Sequence, residues 1–401
     1  MRILHVTREL AGDRRFGIGR SLDPVIRALQ LDGHEVRYLT QQDQGPRAMQ
    51  AQQRWAERLL PWMRRAWGDA GDLFLRVWIE RLNMGRLAAK VAATWPADVV
   101  HLHDPWMAWG FRVGRWLNGP RARACRWGFT EHGFGSYTQA IGEEGVPYTP
   151  PLRRLNLWLE RSVAMAADWV VCPTHLGRHR LAQDLGVAQA PRHWVAIPHA
   201  RPVLTPMTRD DARQRVDWCD DRVNVLAVGR LNPVKRFDTL VQACLRTGRR
   251  MRLTILGEGD PAPLQALVSA AQADERLLLE VRLVDDVGPW LCAADVYVSS
   301  TRNESFGMAN LEALAAGAPA LCTAAGGVPE VMGDGARLVP AQDEGLVEVL
   351  AAGLIDLIDN PIERARLGAA GAAHAAQWPD AATVGRRYEA LYRGLASAPT
   401  P

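Results

Sequence analysis

Short apolar runs that stop abruptly in Ser, Thr, His or Gly alternate along this chain with longer stretches whose apolar residues recur at helical spacing. Ile3–Thr7 is the first run. A loop from Arg8 to Gly19 follows, containing Gly12, Gly17 and Gly19, and then a predicted helix from Arg20 to Leu31 with Leu22, Val25, Ile26 and Leu29 on one face. Gly33–Thr40 turns into a second strand, and Asp98–Asp104, Trp127–Phe134, Asp168–Thr174 and Trp194–Ala200 repeat the strand ending. A polar, proline-containing stretch, Arg201–Arg222, reads as a linker with a short helix. The pattern then restarts: a strand at Asn224–Arg230, a helix at Phe237–Leu245, strands at Leu253–Asp260, Leu278–Val284 and Asp295–Ser299, and helices from Val347 onward. Strand–loop–helix order in both halves predicts an α/β protein with two Rossmann-like domains, in which ligands bind beyond the carboxyl ends of the strands.

Size agrees, since 401 residues suffice for two separate cores. With 48% hydrophobic and 23% charged residues the composition is that of a globular protein, and no stretch of about 18 uninterrupted apolar residues occurs. The apolar run at the N-terminus is too short for a signal-peptide core. Six scattered cysteines with no C-x-x-C pair read as reduced thiols, and a cytoplasmic location is expected. The net charge of +4 conceals an asymmetry: residues 1–200 hold 27 basic and 18 acidic side chains, whereas residues 201–401 hold 21 and 26. A basic first half is expected to face something anionic, such as a phosphorylated acceptor or an anionic membrane surface. Nucleic acid is not expected, because no nucleic-acid motif is present and the charges form no runs. Nearly all the cations are Arg; only Lys90 and Lys235 are Lys.

The stretch 54–82 is unusual. Trp55, Leu59, Trp62, Trp67, Phe74, Val77, Trp78 and Leu82 recur near helical spacing among arginines. One reading is a helical hairpin, broken by Pro61 and by Gly68–Gly71, that packs its aromatics on the domain. The other is an interfacial surface, with Trp and Leu among lipid headgroups and Arg on phosphates.

The segment Ser299–Met332 carries the most chemistry. A strand ends in Ser299, a loop holds Glu304, Ser305, Phe306 and Gly307, and a helix through Asn310 and Glu312 stops at Gly317 and Pro319. If all eight steps from Glu304 to Glu312 were helical they would span roughly 12 Å. Helix-start amides between the two carboxylates could hold a phosphate. Together with Ala325–Glu330, this segment resembles the C-terminal signature of retaining nucleotide-sugar glycosyltransferases of the GT-B fold, specifically glycosyltransferase family 4. Gly17, Arg20 and the Gly33–Val36 turn resemble the same family's N-terminus, although the family usually has two adjacent glycines where this chain has Phe16–Gly17. After Pro198 the family usually reads Asn-Gly; this chain has His199–Ala200.

The resemblance implies two domains facing each other across a cleft: an acceptor-binding domain of residues 1–203, joined by the tail 380–401, and a donor-binding domain of residues 204–379. It implies that the C-terminal helix crosses back to the first domain. It also implies transfer of a sugar from a nucleoside diphosphate, UDP- or GDP-linked, to a glycan, lipid-linked or phosphorylated acceptor, with retention of configuration; the basic, Trp-rich first half adds the expectation of a role in lipopolysaccharide or other cell-surface glycan synthesis. Arg230 and Lys235 would clamp the diphosphate, Glu312 would bind the ribose, and Glu304 would bind the donor sugar. The backbone of Phe306, Gly307 and Met308 would hold sugar and phosphate. Gly17, Gly229 and Val284 would line the donor, Arg20 would lie on the acceptor side, and His132, in Thr130–Gly133, would sit beside the transferred sugar or the acceptor. His101 and His103 share a strand face, but no third ligand pattern accompanies them, so no metal site is expected. No D-x-D triplet occurs and no cofactor is expected. The alternatives are a GT-B relative such as a nucleotide-sugar epimerase, or a non-catalytic nucleotide-sugar-binding protein. A phosphorylase would need a pyridoxal-phosphate lysine, and neither Lys90 nor Lys235 has that context.

Overall fold

The computed structural model describes residues 1–9, 17–143, 148–273 and 275–394, so Gly12 lies outside the described residues. The chain divides into two compact units, one made of Met1–Ala200 with the segment from Ala381, the other of Arg201–Asp380. The first boundary thus falls three residues before the expected one. Arg201 belongs to the second unit because its N–H donates to the Pro379 carbonyl at 2.8 Å and its Nη1 to the Ala376 carbonyl at 2.6 Å.

The first unit is built on six parallel strands: β1 (Arg2–Val6), β2 (Glu35–Leu39), β3 (Val99–Leu102), β4 (Arg126–Thr130), β5 (Trp169–Cys172) and β6 (Trp194–Ala196), in the order β2-β1-β3-β4-β5-β6. Strands β3 and β5 are buried along their whole length, as strands covered on both faces must be. The first helix, α1 (Gly17–Leu31), starts three residues earlier than predicted. The Glu9 carboxylate accepts from Gly19 N at 2.7 Å, placing a negative charge on this helix start. The helix Ala381–Tyr392 packs on α1, with Val25, Leu29, Val384, Tyr388 and Leu391 in one apolar cluster. The C-terminal helix therefore does return to the first unit.

The aromatic stretch forms part of one long element, α2 (Pro46–Thr94), in which Gly68 alone leaves helical geometry, at φ 63° and ψ −151°. The chain reverses there. Asn83 Nδ2 donates to Gln52 Oε1 at 3.3 Å, Arg64 pairs with Asp72 at 2.6 Å, and a Cβ on Gly71 would lie 2.5 Å from the Met63 carbonyl. These three contacts make residues 46–67 and 69–94 the antiparallel arms of a hairpin. Pro61 lies inside the first arm and does not break it, contrary to expectation. The second arm packs on α3 (Pro105–Leu117) at backbone distance. A Cβ on Gly85 would lie 2.1 Å from the Met107 carbonyl, and one on Gly110 would lie 2.5 Å from the Leu82 carbonyl. Asp104 caps α3 through Trp106 N and pairs with the buried Arg81 at 2.7 Å. The first arm carries two apolar stripes. Ala56 and Leu60 are buried, while Trp55, Leu59 and Trp62, at i, i+4 and i+7, are exposed.

The second unit is again a parallel sheet: β7 (Val223–Val228), β8 (Met251–Leu256), β9 (Leu277–Arg282), β10 (Val296–Ser299), β11 (Ala320–Thr323) and β12 (Arg337–Val339), in the order β12-β11-β10-β7-β8-β9. The order reverses between β10 and β7, and it is at such a switch that loops leave a sheet on either side of a crevice.

The close α2–α3 packing predicts that Gly85→Ala destabilises the first unit by about 1–3 kcal/mol, because the two helix backbones must separate. Urea unfolding measures this. An unchanged midpoint would mean that the helices do not approach this closely.

Candidate active site

In the second unit, β7 and β10 are parallel neighbours, with Val225 beside Val296 and Leu226 beside Tyr297. The loops after them therefore emerge side by side. After β7 the chain passes Gly229 and the exposed Arg230 and tightens into a 3-10 turn, Pro233–Lys235. Asn232 caps this turn, its Oδ1 accepting from Lys235 N at 3.2 Å. Arg236 comes next in the left-handed region at φ 50°, its buried guanidinium paired with Asp343 at 2.6 Å and donating to the Ala341 carbonyl at 2.7 Å. The loop after β10 fastens onto this turn. Ser300 Oγ donates to the Lys235 carbonyl at 2.7 Å, and Arg302 N donates to the Val234 carbonyl at 2.7 Å.

The outcome is that Lys235 Nζ meets Glu304 Oε2 at 2.6 Å, the two side chains retaining 25% and 20% of their exposure. The aliphatic stem of Lys235 lies over Gly229, where a Cβ would come within 3.1 Å of Cε. From the other side, Gly327 N donates to the Glu304 carbonyl at 2.8 Å. Gly326 must be glycine for this approach: its φ is 59° and a Cβ would lie 2.2 Å from that carbonyl.

Gly307, at φ 80°, leads into the helix Met308–Ala315. Helical geometry starts at Met308, so Glu304–Gly307 is the loop that the sequence predicts, and the span from Glu304 to Glu312 is helical only from Met308 onward. The loop is what lets Glu304 turn toward Lys235. Glu312 is 2% exposed and is not the solvated residue that a lone helical Glu would be. The Phe306 ring is buried against Trp378, with centroids 5.7 Å apart, which leaves its backbone as the part able to meet a ligand. The first N–H groups of a helix have no carbonyl partner within it, so Gly307 and Met308 open an anion-favouring terminus. Val284 lies two residues beyond β9 rather than at the end of a strand, half-buried.

The first unit gathers histidines at its strand ends. His5 Nδ1 and His103 Nε2 are 2.9 Å apart, and His103 Nδ1 and His132 Nε2 are 3.0 Å apart. His199 stacks on His132 at 5.9 Å with 7° between the ring planes. His101 has Thr130 Oγ1 at 2.7 Å from Nε2 and Tyr392 Oη at 2.9 Å from Nδ1. Both nitrogens of His101 and of His103 are thus engaged by protein groups. Among the described residues no group of three or more His, Cys, Asp or Glu is arranged to hold a metal ion. Burial, assisted by neighbouring rings, holds His101, His103 and His132 well below the ordinary histidine range, so all three are neutral at pH 7. Gly17 opens α1 and Arg20 lies in its first turn, half-buried.

Sequence reasoning missed His5 and set His103 aside. The available signal was a histidine at the end of four parallel strands, at His5, His103, His132 and His199, which a parallel sheet brings to one edge.

Two family models match this chain: "Glycosyl transferase 4-like domain" over residues 16–198 and "Glycosyl transferases group 1" over residues 222–360. The chain carries both domains of a GT-B glycosyltransferase. It is 29% identical to a D-inositol 3-phosphate glycosyltransferase of Thermomonospora curvata over 346 residues, covering 77% of this chain and 76% of that one. Sucrose-phosphate synthase from Thermosynechococcus elongatus has the same fold, with a TM-score of 0.76 at 18% identity over 98% of this chain and 99% of that one. HepE of Anabaena in complex with UDP-glucose superposes with a TM-score of 0.68 at 15% identity, over 99% of this glycosyltransferase and 100% of that chain.

Near the histidines lie two buried carboxyls. Burial raises Glu131 well above the ordinary range and raises Glu160 to about 8, while Thr138 N and its hydroxyl donate to Glu160. A carboxyl whose pKa is raised by folding stabilises fully below its unfolded value and loses that contribution as pH rises toward its folded value. Glu160→Gln, which keeps the acceptor, should therefore gain stability over the wild type between about pH 5 and 8. Denaturant unfolding across that range measures the difference. A gap that does not change with pH would show Glu160 to be ionised throughout.

Proposed function

We propose that this glycosyltransferase uses a nucleoside-diphosphate sugar, transfers it with retention, and needs neither metal nor cofactor. The observation that carries the reading is the Lys235–Glu304 pair at 2.6 Å, one cation and one carboxylate beside a helix start. The barrier to such a transfer lies in charge separation, as the diphosphate leaves with growing negative charge and the sugar becomes oxocarbenium-like. Lys235, with the exposed Arg230 near it in sequence, stabilises the departing diphosphate as a compact fixed charge, joined by the amides of Gly307 and Met308. Glu304 accepts from donor-sugar hydroxyls and Glu312 from the ribose. Gly17, Gly229, Val284 and the Phe306 backbone complete the donor side. His132 contacts the sugar or the acceptor, Arg20 serves the acceptor side, and the leaving phosphate takes the acceptor proton. UDP is the favoured nucleotide, because the HepE crystal structure is of a complex with UDP-glucose.

For the acceptor we favour a phosphorylated hydroxyl compound. The first half is basic, and the relative from Thermomonospora curvata is named for inositol 3-phosphate. A cell-surface glycan acceptor on a lipid carrier is the second reading, and the exposed stripe of α2 favours it. No described helix is long and apolar enough to cross a membrane. Trp55 and Trp62, 60% and 72% exposed, instead offer an interfacial surface between exposed Arg54, Arg58 and Arg65. On this reading the protein works in the cytoplasm and rests on an anionic membrane face.

Incubation with a panel of UDP-, GDP- and ADP-sugars plus inositol phosphates, following nucleoside diphosphate release, tests the reaction. Wild type is expected to turn over at least one pair, EDTA to leave the rate unchanged, and Lys235→Ala to lower kcat by about two to three orders of magnitude. Wild-type rates in that variant would remove the diphosphate clamp, and loss in EDTA restored by manganese would overturn the metal-free mechanism.

For the membrane stripe, vesicle co-sedimentation is the measurement. Anionic vesicles should bind the protein, less so as salt rises. Replacing Arg58 and Arg65 by Glu should weaken binding by about 1 kcal/mol for each positive charge lost. The choice of Arg65 and Arg58 leaves the Arg64–Asp72 brace of the hairpin intact. A protein that stays in the supernatant with anionic lipid at low salt would make the stripe a packing feature only.

A further inference from the structure

The geometry points to His103 as a positioning residue for His132: with His5 it forms a hydrogen-bonded chain of three imidazoles that fixes the ring plane and the tautomer of His132. The inference rests on the reading of His132 as a group that meets the transferred sugar or the acceptor.

Three strands supply the chain. His5 lies on β1, where it pairs in register with His101 of β3. His103 and His132 lie just past the ends of β3 and β4, which are neighbours in the sheet. His5 and His103 are buried at 1% and 2% exposure, while His132 is partly open. The two contacts run from His5 Nδ1 to His103 Nε2 and from His103 Nδ1 to His132 Nε2. His101 stacks against the middle ring at 4.7 Å between centroids, His5 lies nearly coplanar with it, 16° between the planes, as an in-line ring hydrogen bond requires, and His199 lies parallel to His132.

A neutral imidazole has one N–H donor and one lone-pair acceptor, and this couples the three rings. If His103 carries its proton on Nδ1, it donates to His132 Nε2 and accepts from His5 Nδ1–H. His132 then holds its own proton on Nδ1 and presents a donor. If His103 carries the proton on Nε2, it donates to His5, accepts from His132 Nε2–H, and leaves His132 Nδ1 as an acceptor. In either state all three rings adopt the same tautomer, and a change at one requires a change at all. Which nitrogen of a histidine is protonated is set by the bond its other nitrogen makes. Here that bond comes from His103, and the nitrogen it leaves on His132 is Nδ1. Burial is the main opposition to protonating the chain, joined by His199 and Arg8 at His132 and by His101, His132, His5 and His199 at His103.

Long-range 1H–15N spectra of protein labelled in its histidines test this directly. In the wild type, His5, His103 and His132 should show one shared neutral tautomer from pH 6 to 8, and two different tautomers within the chain would overturn the inference. His103→Asn places an amide nitrogen near the position of Nδ1 and should keep the His132 tautomer. His103→Gln reaches toward His5 instead and, like His103→Phe, should free His132 to exchange tautomers and to titrate. In turnover, His103→Phe should lower kcat by about tenfold or more, the scale of losing a partner that orients a functional histidine. Donor KM should change little, and His103→Asn should restore most of the rate. If Asn and Gln variants that melt like the wild type behave alike in both spectra and rates, His103 is only a packing residue. If the wild type turns over no nucleotide sugar, the proposed reaction fails, whereas the spectra still report on the chain.

Discussion

Parallel pairing of β7 with β10 is the constraint on which the Lys235–Glu304 site depends. It sets two loops beside each other whose Lys235 and Glu304 are 69 residues apart in sequence, and hydrogen bonds from Ser300 and Arg302 to the Val234–Lys235 backbone lock them together. Only then can Lys235 and Glu304 meet at 2.6 Å. A lysine alone on a loop would spend rotamer entropy at each encounter with an anion. Held by a carboxylate, over a glycine that leaves room for its stem, it waits in place. On the proposed reading, a phosphate that approaches Lys235 would share it with Glu304, which would couple binding of the diphosphate to placement of the sugar.

The first unit solves a different problem with a similar economy. Parallel strands place their C-terminal ends at one edge, so a histidine at the end of several strands becomes a cluster without any local motif. The cluster is stable because its rings are neutral and bond one another, which spares the unit a buried charge. Around it the framework is tight: α2 and α3 touch backbone to backbone, Arg81 and Asp104 close the entry to α3, and Tyr392 from the last helix reaches His101.

Much of this was legible in sequence, for identifiable reasons. Alternating strand and helix patterns report burial, so both sheets and the restart near residue 224 could be read directly. Gly68–Gly71 marked the hairpin because a helix tolerates such a pair poorly; Pro61 misled because an exposed helical arm can bend around a proline. Lys235 and Glu304 were each singled out as candidate site residues, but their contact was not foreseen, since it depends on which strands are neighbours. The loop at Glu304–Gly307 could be read from the polar residues and glycine that precede the Ala-rich helix, whereas the positive φ of Gly307 is visible only in the structure. His103 was set aside for lack of a metal pattern; its partners are other histidines, and those come from strands far apart in sequence. The start of α1 at Gly17 escaped because glycine is an unusual first residue, and it is Glu9 that supports it.

On the proposed reading, Lys235 carries the diphosphate and Glu304 the sugar. Calorimetric titration of UDP and of UDP-glucose into the wild type, Lys235→Ala and Glu304→Gln separates the two roles. Lys235→Ala should lose affinity for both ligands. Glu304→Gln should bind UDP as well as the wild type or better, because Lys235 is released to the phosphate, while losing the additional affinity that the glucose moiety supplies. Wild-type affinity for UDP in Lys235→Ala, or equal losses for both ligands in Glu304→Gln, would show that the two side chains do not divide diphosphate and sugar between them.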